Sequence, residues 1–123
     1  RNTRQRDAIR QVFTERDNPM TPAEVLEAAS EHVRTLGIAT VYRNLSLLCE
    51  SGWLVRVELP GNRVYFERAD KDHHHHFLCE SCEKLYEVNG CLGDVEKLAP
   101  RGCRIKEHDL LLHGTCDSCR RTG

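Results

Sequence analysis

The chain is expected to be α+β, with a helical first half closed by a hairpin and a smaller α/β second half. Three observations predict this. Apolar residues recur at helical spacing in three separate stretches before residue 52. The pattern then changes to alternation on both sides of Pro60-Gly61-Asn62. Past residue 72, four histidines run directly into a Cys-x-x-Cys pair, and a second such pair lies near the end of the chain.

A length of 123 residues, 39% hydrophobic and 30% charged, suits one domain or two very small ones with modest cores. Halves of that size usually need a metal or a partner copy to stay folded. No apolar run approaches a membrane span and nothing resembles a signal peptide, so the expected location is cytoplasmic. Seven cysteines, four of them in Cys-x-x-Cys pairs, then favour metal thiolates over a disulfide framework. The net charge of −1 does not itself suggest a polyanion partner. Its distribution is more informative: residues 1–68 carry 10 Arg and 9 acidic residues, and residues 69–123 carry 8 basic and 10 acidic. That is +1 against −2, which inclines the first half towards nucleic acid.

Taken in order, Thr3 to Thr14 places Ala8, Ile9, Val12 and Phe13 on one helical face, and Asp17-Asn18-Pro19 breaks it. Thr21-Pro22-Ala23-Glu24 is a helix start, with a capping Thr, Pro at the first helical position and Glu to close a capping box. That helix buries Val25, Leu26, Ala29 and Val33 and is expected to stop near Gly37. A third helix, Thr40 to Ser51, ends at Gly52; it turns Val41, Leu45, Leu48 and Cys49 inwards and Thr40, Tyr42, Arg43 and Ser46 outwards. Helix, short turn and a helix with a polar N-terminal half form a helix-turn-helix, whose second helix presents side chains to base edges. Arg43 suits guanine or phosphate, and Tyr42 a thymine methyl or phosphate. Trp53 to Leu59 and Arg63 to Glu67 form a hairpin after that helix, so the half is a winged helix with Arg56 and Arg63 placed for the DNA backbone. The competing reading is a small helical module that packs on a partner without touching DNA.

Asp70-Lys71-Asp72 is polar and serves as a hinge between a first domain, 1–68, and a second, 73–123, with 69–72 between them. In an extended run, His74 and His76 point to one face and His73 and His75 to the other, so one strand feeds two metal sites. Lys84 to Val88 returns as a strand and puts Cys79 and Cys82 on a hairpin turn, a zinc knuckle. Asp94 to Ala99 is a short helix ended by Pro100, and Cys103 to His113 alternates as a strand. Cys116 and Cys119 follow, with 33 residues between the two pairs. Four thiolates complete a closed tetrahedral structural zinc site. A redox dithiol would open a helix after a buried strand, and neither pair is expected to do so. Cys49 belongs to the core, and Cys91 and Cys103 show no pairing pattern.

Gly37-Ile38-Ala39-Thr40-Val41-Tyr42-Arg43-Asn44-Leu45, the His run with Cys79-Glu80-Ser81-Cys82, and the terminal Cys116-x-x-Cys119 together resemble the ferric uptake regulator (Fur) family over essentially the whole chain. The resemblance implies a homodimeric, metal-responsive transcription factor that binds operator DNA. It also implies a winged helix followed by an α/β dimerisation domain. By matching positions it assigns the four cysteines to structural zinc, Glu67, His74, His76 and Glu87 to a regulatory site at the hinge, and His73, His75, Asp94 and His108 to an additional site. His75 stands where the family commonly has Asp.

One departure bears on the metal. Iron and peroxide sensors of the family usually supply a His just before the second helix, where this chain has Pro19-Met20; its only upstream His is His32. Zinc sensors do without it, so the resemblance favours the zinc-responsive branch, a repressor of zinc homeostasis. Many zinc sensors, however, place a Cys near the end of the wing, where this chain has Glu67-Arg68. Glu58, Cys91 and Cys103 are the candidates for a ligand particular to this chain. The alternatives are an iron- or peroxide-responsive regulator, a small zinc-dependent enzyme, for which no His-Glu-x-x-His motif is present, and a purely structural zinc ribbon.

Overall fold

The computed structural model describes residues 3–122, and the chain divides into two compact units, residues 1–71 and 72–123. The first contains α1 (Thr3–Glu15), α2 (Pro22–Ala29), α3 (Ile38–Glu50), β1 (Leu54–Leu59) and β2 (Arg63–Arg68). Its core is the apolar stripe of each helix: Ile9, Val12 and Phe13 from α1, Val25 and Ala29 from α2, and Val41, Leu45 and Leu48 from α3. Leu54 and Phe66 of the hairpin close it from the side. Each large aliphatic or aromatic side chain buried here contributes about 1.5–3 kcal/mol relative to exposure.

Helix α2 opens as its sequence dictates. The Glu24 N–H donates to Thr21 Oγ1 at 3.2 Å and the Thr21 N–H donates to Glu24 Oε1 at 2.8 Å, a reciprocal cap that satisfies two otherwise orphaned donors. The helix ends at Ala29, well before Gly37. From there the chain tightens into i→i−3 turns, with His32 N–H on Ala29 O at 3.0 Å and Leu36 N–H on Val33 O at 3.3 Å. These turns keep Val33 and Leu36 buried, so the apolar stripe outlasts the helix that was inferred from it. Helix α3 begins two residues earlier than expected, capped by the backbone of Gly37 without a side-chain bond. Cys49, expected in the core, is half-buried and packs against it, and Asn44 is buried beside Val41, Leu45 and Leu48.

Strands β1 and β2 pair antiparallel from Leu54↔Arg68 to Leu59↔Arg63. Their turn holds Gly61 and Asn62 at positive φ, residues that tolerate the left-handed region. Met20 adds a bridge to Phe66 through two backbone bonds of 2.9 and 2.8 Å. Trp53, the sole tryptophan, meets Phe13 edge-on at 6.4 Å and lies under the guanidinium groups of Arg10 and Arg68.

The second unit is a three-stranded sheet in the order β4-β3-β5, with β3 (His75–Cys79), β4 (Leu85–Val88) and β5 (Leu111–Gly114). β3 pairs antiparallel with β4 and parallel with β5. The strand expected over Cys103 to His113 is realised only from Leu111, because β3 is five residues long and its parallel rungs run from His76↔Leu111 to Cys79↔Gly114. The expected helix at Asp94 to Ala99 is a single 3-10 turn, Val95–Leu98, held between Gly93 at φ 93 and Pro100. The chain then closes with α4 (Asp117–Thr122), so the second Cys pair does open a short helix, contrary to expectation.

Thr21→Ala should remove half of the reciprocal cap and destabilise the first unit by about 1 kcal/mol. Denaturant unfolding followed by Trp53 fluorescence measures this, and an unchanged midpoint would mean the cap contributes nothing.

Candidate metal centres and nucleic-acid face

Three groups of side chains carry the chemistry. The first is built where β3 runs out. Cys79 ends the strand, and Glu83, in the left-handed region, sends its N–H back to Cys79 O at 2.7 Å to form the tight turn carrying Cys82. Cys116 and Cys119 come from the junction of β5 and α4. The four Sγ atoms lie within 4.8 Å of one another, and Cys82 and Cys116 are 3.9 Å apart. Zn–S bonds of about 2.3 Å in a tetrahedron require S···S separations of about 3.8 Å, so the set fits zinc.

The electrostatics agree. Backbone N–H groups of Cys82 and Cys116 point at Cys79 Sγ and hold its thiol down to about 6. Cys119 is pushed up to about 12, because its thiol is hydrogen-bonded to Cys116 and Cys79. The Tyr86 hydroxyl, hydrogen-bonded to Cys116, is likewise pushed up to about 12. Four sulfurs this close cannot all ionise together unless a cation joins them. The redox-dithiol reading loses its support here, since each pair converges on the other.

The second group lies on one face of β3. The rings of His73 and His75 are 4.6 Å apart, and His108 stacks 4.7 Å from His73 and 5.0 Å from His75. Burial, followed by the charges of His73 and His108, pushes His75 below the usual imidazole range, which favours the neutral, ligating form of the ring. Asp94, the fourth residue the resemblance implied, is not part of this cluster. It is exposed and caps the 3-10 turn, and Cys91 stands in the group instead. The sequence offered one signal for this, a cysteine with no pairing partner three residues before the expected ligand.

On the opposite face, the His74 and His76 rings are 4.9 Å apart. His76 sits directly across from Glu87 in the β3–β4 ladder. His74 Nδ1 lies 2.8 Å from Asp72 O; as the donor there, it makes Nε2 the acceptor nitrogen of the neutral ring. Glu67 belongs to β2, in register with Val55. The two faces therefore separate the histidines as the alternation predicts. Of the remaining candidates, Glu58 accepts from Arg56 Nε at 3.2 Å, and Cys103 is exposed in a turn.

The third group is the outer face of α3 with the adjoining hairpin. Tyr42 is 55% exposed, and Arg43 Nη2 donates to Thr40 Oγ1 at 3.2 Å. Thr40 is half-buried. Arg56 lies 5.7 Å from the Phe66 ring centroid, and Arg63 Nε donates to the Pro60 carbonyl at 3.0 Å, which ties Arg63 to the turn. A shallow groove lined by Pro22, Tyr42, Ser46, Arg56, Asn62 and Val64 separates helix from hairpin. Sequence reasoning missed Asn44. Its Nδ2 donates to Thr40 O at 2.9 Å and its Oδ1 accepts from Arg6 Nε at 3.3 Å, fastening α1 to the first turn of α3.

The profile of the Ferric uptake regulator family matches residues 1–113. The chain belongs to this family. The family is one of regulators, not of enzymes. The ferric uptake regulation protein of Bordetella parapertussis is 32% identical over 91 residues, covering 70% of this chain and 64% of that protein. The chain spans about three fifths of the length of the first curated relatives it matches. Among solved structures, a ferric uptake regulator of Francisella tularensis with iron aligns with TM-score 0.72 and 28% identity, over 94% of this chain and 90% of that one. FurB of M. tuberculosis, a zinc uptake regulator, aligns with TM-score 0.54 and 29% identity, over 97% and 95%. These Fur neighbours share the mixed helical and stranded architecture described above, and they include regulators of both metals.

Cys82→Ser and Cys119→Ser should each lose the tightly held zinc and lower the melting temperature of the second unit, because a closed site contributes folding free energy. Metal analysis with circular-dichroism melts checks both. Full zinc retention with unchanged melting in either variant would remove the four-thiolate assignment.

Proposed function

We propose that this chain is a metal-responsive, DNA-binding transcriptional regulator that acts as a homodimer on operator DNA, with zinc as effector and repression of zinc-homeostasis genes as outcome. The observation that carries the DNA part is the division of α3. One face is fully buried, while the other presents Tyr42 and Arg43 beside a hairpin bearing Arg56 and Arg63. A half-exposed aromatic next to an oriented guanidinium suits groove contact, and the hairpin arginines suit phosphate. Support for a partner copy comes from Leu92, Leu98 and Leu112, all exposed on the second unit.

The regulatory ligands are His74, His76 and Glu87 on one face of the sheet, with Glu67 added by the family pattern. The bound metal supplies a fixed link among imidazole and carboxylate groups. The side chains themselves are pre-aimed: His74 by its contact with the Asp72 carbonyl, His76 and Glu87 by the ladder. In a dimer, that link favours one spacing of the two reading helices, and affinity for half-sites about one helical turn apart rises by population shift.

Zinc is favoured over iron by the position before α2. Pro19 and Met20 are buried there, and Met20 is bridged to Phe66, so that segment serves the core and offers no imidazole. The iron reading keeps the support of the relatives named for ferric uptake. Operator binding titrated against buffered Zn²⁺, and separately against anaerobic Fe²⁺, decides between them. Activation by iron alone at matched free-metal levels would overturn zinc.

Tyr42→Ala and Arg43→Ala should each weaken specific operator binding by roughly 1–3 kcal/mol and leave metal binding and dimerisation intact. Equal affinity of both variants with the parent at fixed salt would refute the reading helix. His74→Ala and His76→Ala should abolish the metal response but retain the four-thiolate zinc. Preservation of the response in both would move the regulatory site elsewhere.

A further inference from the structure

Cys91 is the residue that neither the spacing of the cysteines nor the family pattern assigned a role, and its sulfur lies at the focus of three imidazoles. Its Sγ is 3.2 Å from His108 Nε2, 3.3 Å from His75 Nε2 and 3.6 Å from His73 Nε2, and the Nε2 atoms of His73 and His108 are 3.2 Å apart. The same ring nitrogen converges from all three histidines. A tetrahedral ion with Zn–N bonds of about 2.0–2.1 Å and a Zn–S bond of about 2.3 Å sets N···N at about 3.3 Å and N···S at about 3.6 Å. The four observed separations lie within a few tenths of an ångström of those values. Hydrogen bonding accounts for only part of this arrangement, since one thiol proton cannot serve three nitrogens at once.

We propose that His73, His75, Cys91 and His108 form a closed three-imidazole, one-thiolate site for zinc-class divalent ions, in which Cys91 replaces the carboxylate the family pattern places at Asp94. Three separate chain segments supply the ligands: the start of β3 with the residue two positions before it, the loop after β4, and the segment entering β5. A metal here ties that loop and that segment to the central strand. His75 is buried at the base of the site and Cys91 is exposed at its mouth, so an ion enters from solvent past the sulfur. The thiolate changes the metal class. An imidazole and carboxylate set accepts Mn²⁺ or Fe²⁺, whereas a sulfur ligand favours Zn²⁺ and Co²⁺ and makes the ligand itself susceptible to alkylation and oxidation when the ion leaves. The site lies wholly in the second unit and does not depend on the chain binding DNA.

Reduced protein with its four-thiolate site filled by zinc is titrated with Co²⁺. The expected result is a thiolate-to-cobalt charge-transfer absorption in the wild type, its loss in Cys91→Ser with Co²⁺ affinity lowered at least about tenfold, and its retention in Asp94→Ala. Cobalt bound at His74 and His76 gives no such band, and cobalt exchanged into the four-cysteine site gives one that survives Cys91→Ser. An unchanged band and affinity in Cys91→Ser, or loss of the band in Asp94→Ala, overturns the assignment. Should Cys91→Ser fail to fold, the wild-type protein decides: zinc should slow iodoacetamide labelling of Cys91 at least about tenfold, and Mn²⁺ at equal concentration should not. Equal labelling with and without zinc refutes the site. No readout involves DNA, so failure here is distinct from failure of the regulator reading.

Discussion

The second unit depends on the two-residue period of a single central strand. Neighbouring side chains on β3 leave opposite faces, so His73 and His75 cannot share an ion with His74 and His76. The ring pairs at 4.6 and 4.9 Å are the direct expression of that rule. A slip of one residue would exchange the two sets and send each to the wrong partners. The register is held on both sides, antiparallel against β4 and parallel against β5, and at its end by a cysteine whose sulfur accepts two backbone N–H groups. Gly114 belongs to the same lock: a Cβ there would stand 3.0 Å from the Phe77 ring, so a larger residue would push that ring aside.

The two units are stabilised differently. In the first, three apolar stripes and the hairpin meet in one continuous core. In the second, Leu78 and Leu85 are the only fully buried aliphatic residues among those described. At about 1.5–3 kcal/mol each, they fall far short of the conformational entropy of some fifty residues. Zinc held by the four thiolates would add roughly 10–16 kcal/mol to that small core. The cysteines are placed to draw residues 116–119 onto the strand that carries the histidines.

The outer face of α3 is likewise set by what lies beneath it. Asn44 lies on the inner stripe of α3, where an apolar residue is the usual occupant, and uses its two polar atoms to bind α3 to α1 through Arg6 and to its own turn through the Thr40 carbonyl. Arg43 is steadied by Thr40 one turn earlier. The exposed side chains of α3 thus rest on a backbone fixed from beneath by a buried amide hydrogen-bonded through both its oxygen and its nitrogen.

Local pattern alone determined the three helices of the first unit, the hairpin and its turn, the capping box of α2, the two faces of the histidine run and the two Cys-x-x-Cys pairs. Each of these is written in residues a few positions apart, where helical and strand periods and cap chemistry act directly. Three features were decided only by the tertiary structure. Helix α2 ends at Ala29 because turns keep Val33 and Leu36 buried as well as a helix would. Strand β5 begins at Leu111 because its parallel pairing with β3 runs only from His76↔Leu111 to Cys79↔Gly114. Cys91, not Asp94, reaches His73, His75 and His108, because the loop after β4 brings its sulfur to the strand while Asp94 turns away to begin the 3-10 turn. Residues 16 to 35 positions apart meet only where the ladders and turns carry the chain, and no short-range period encodes that path.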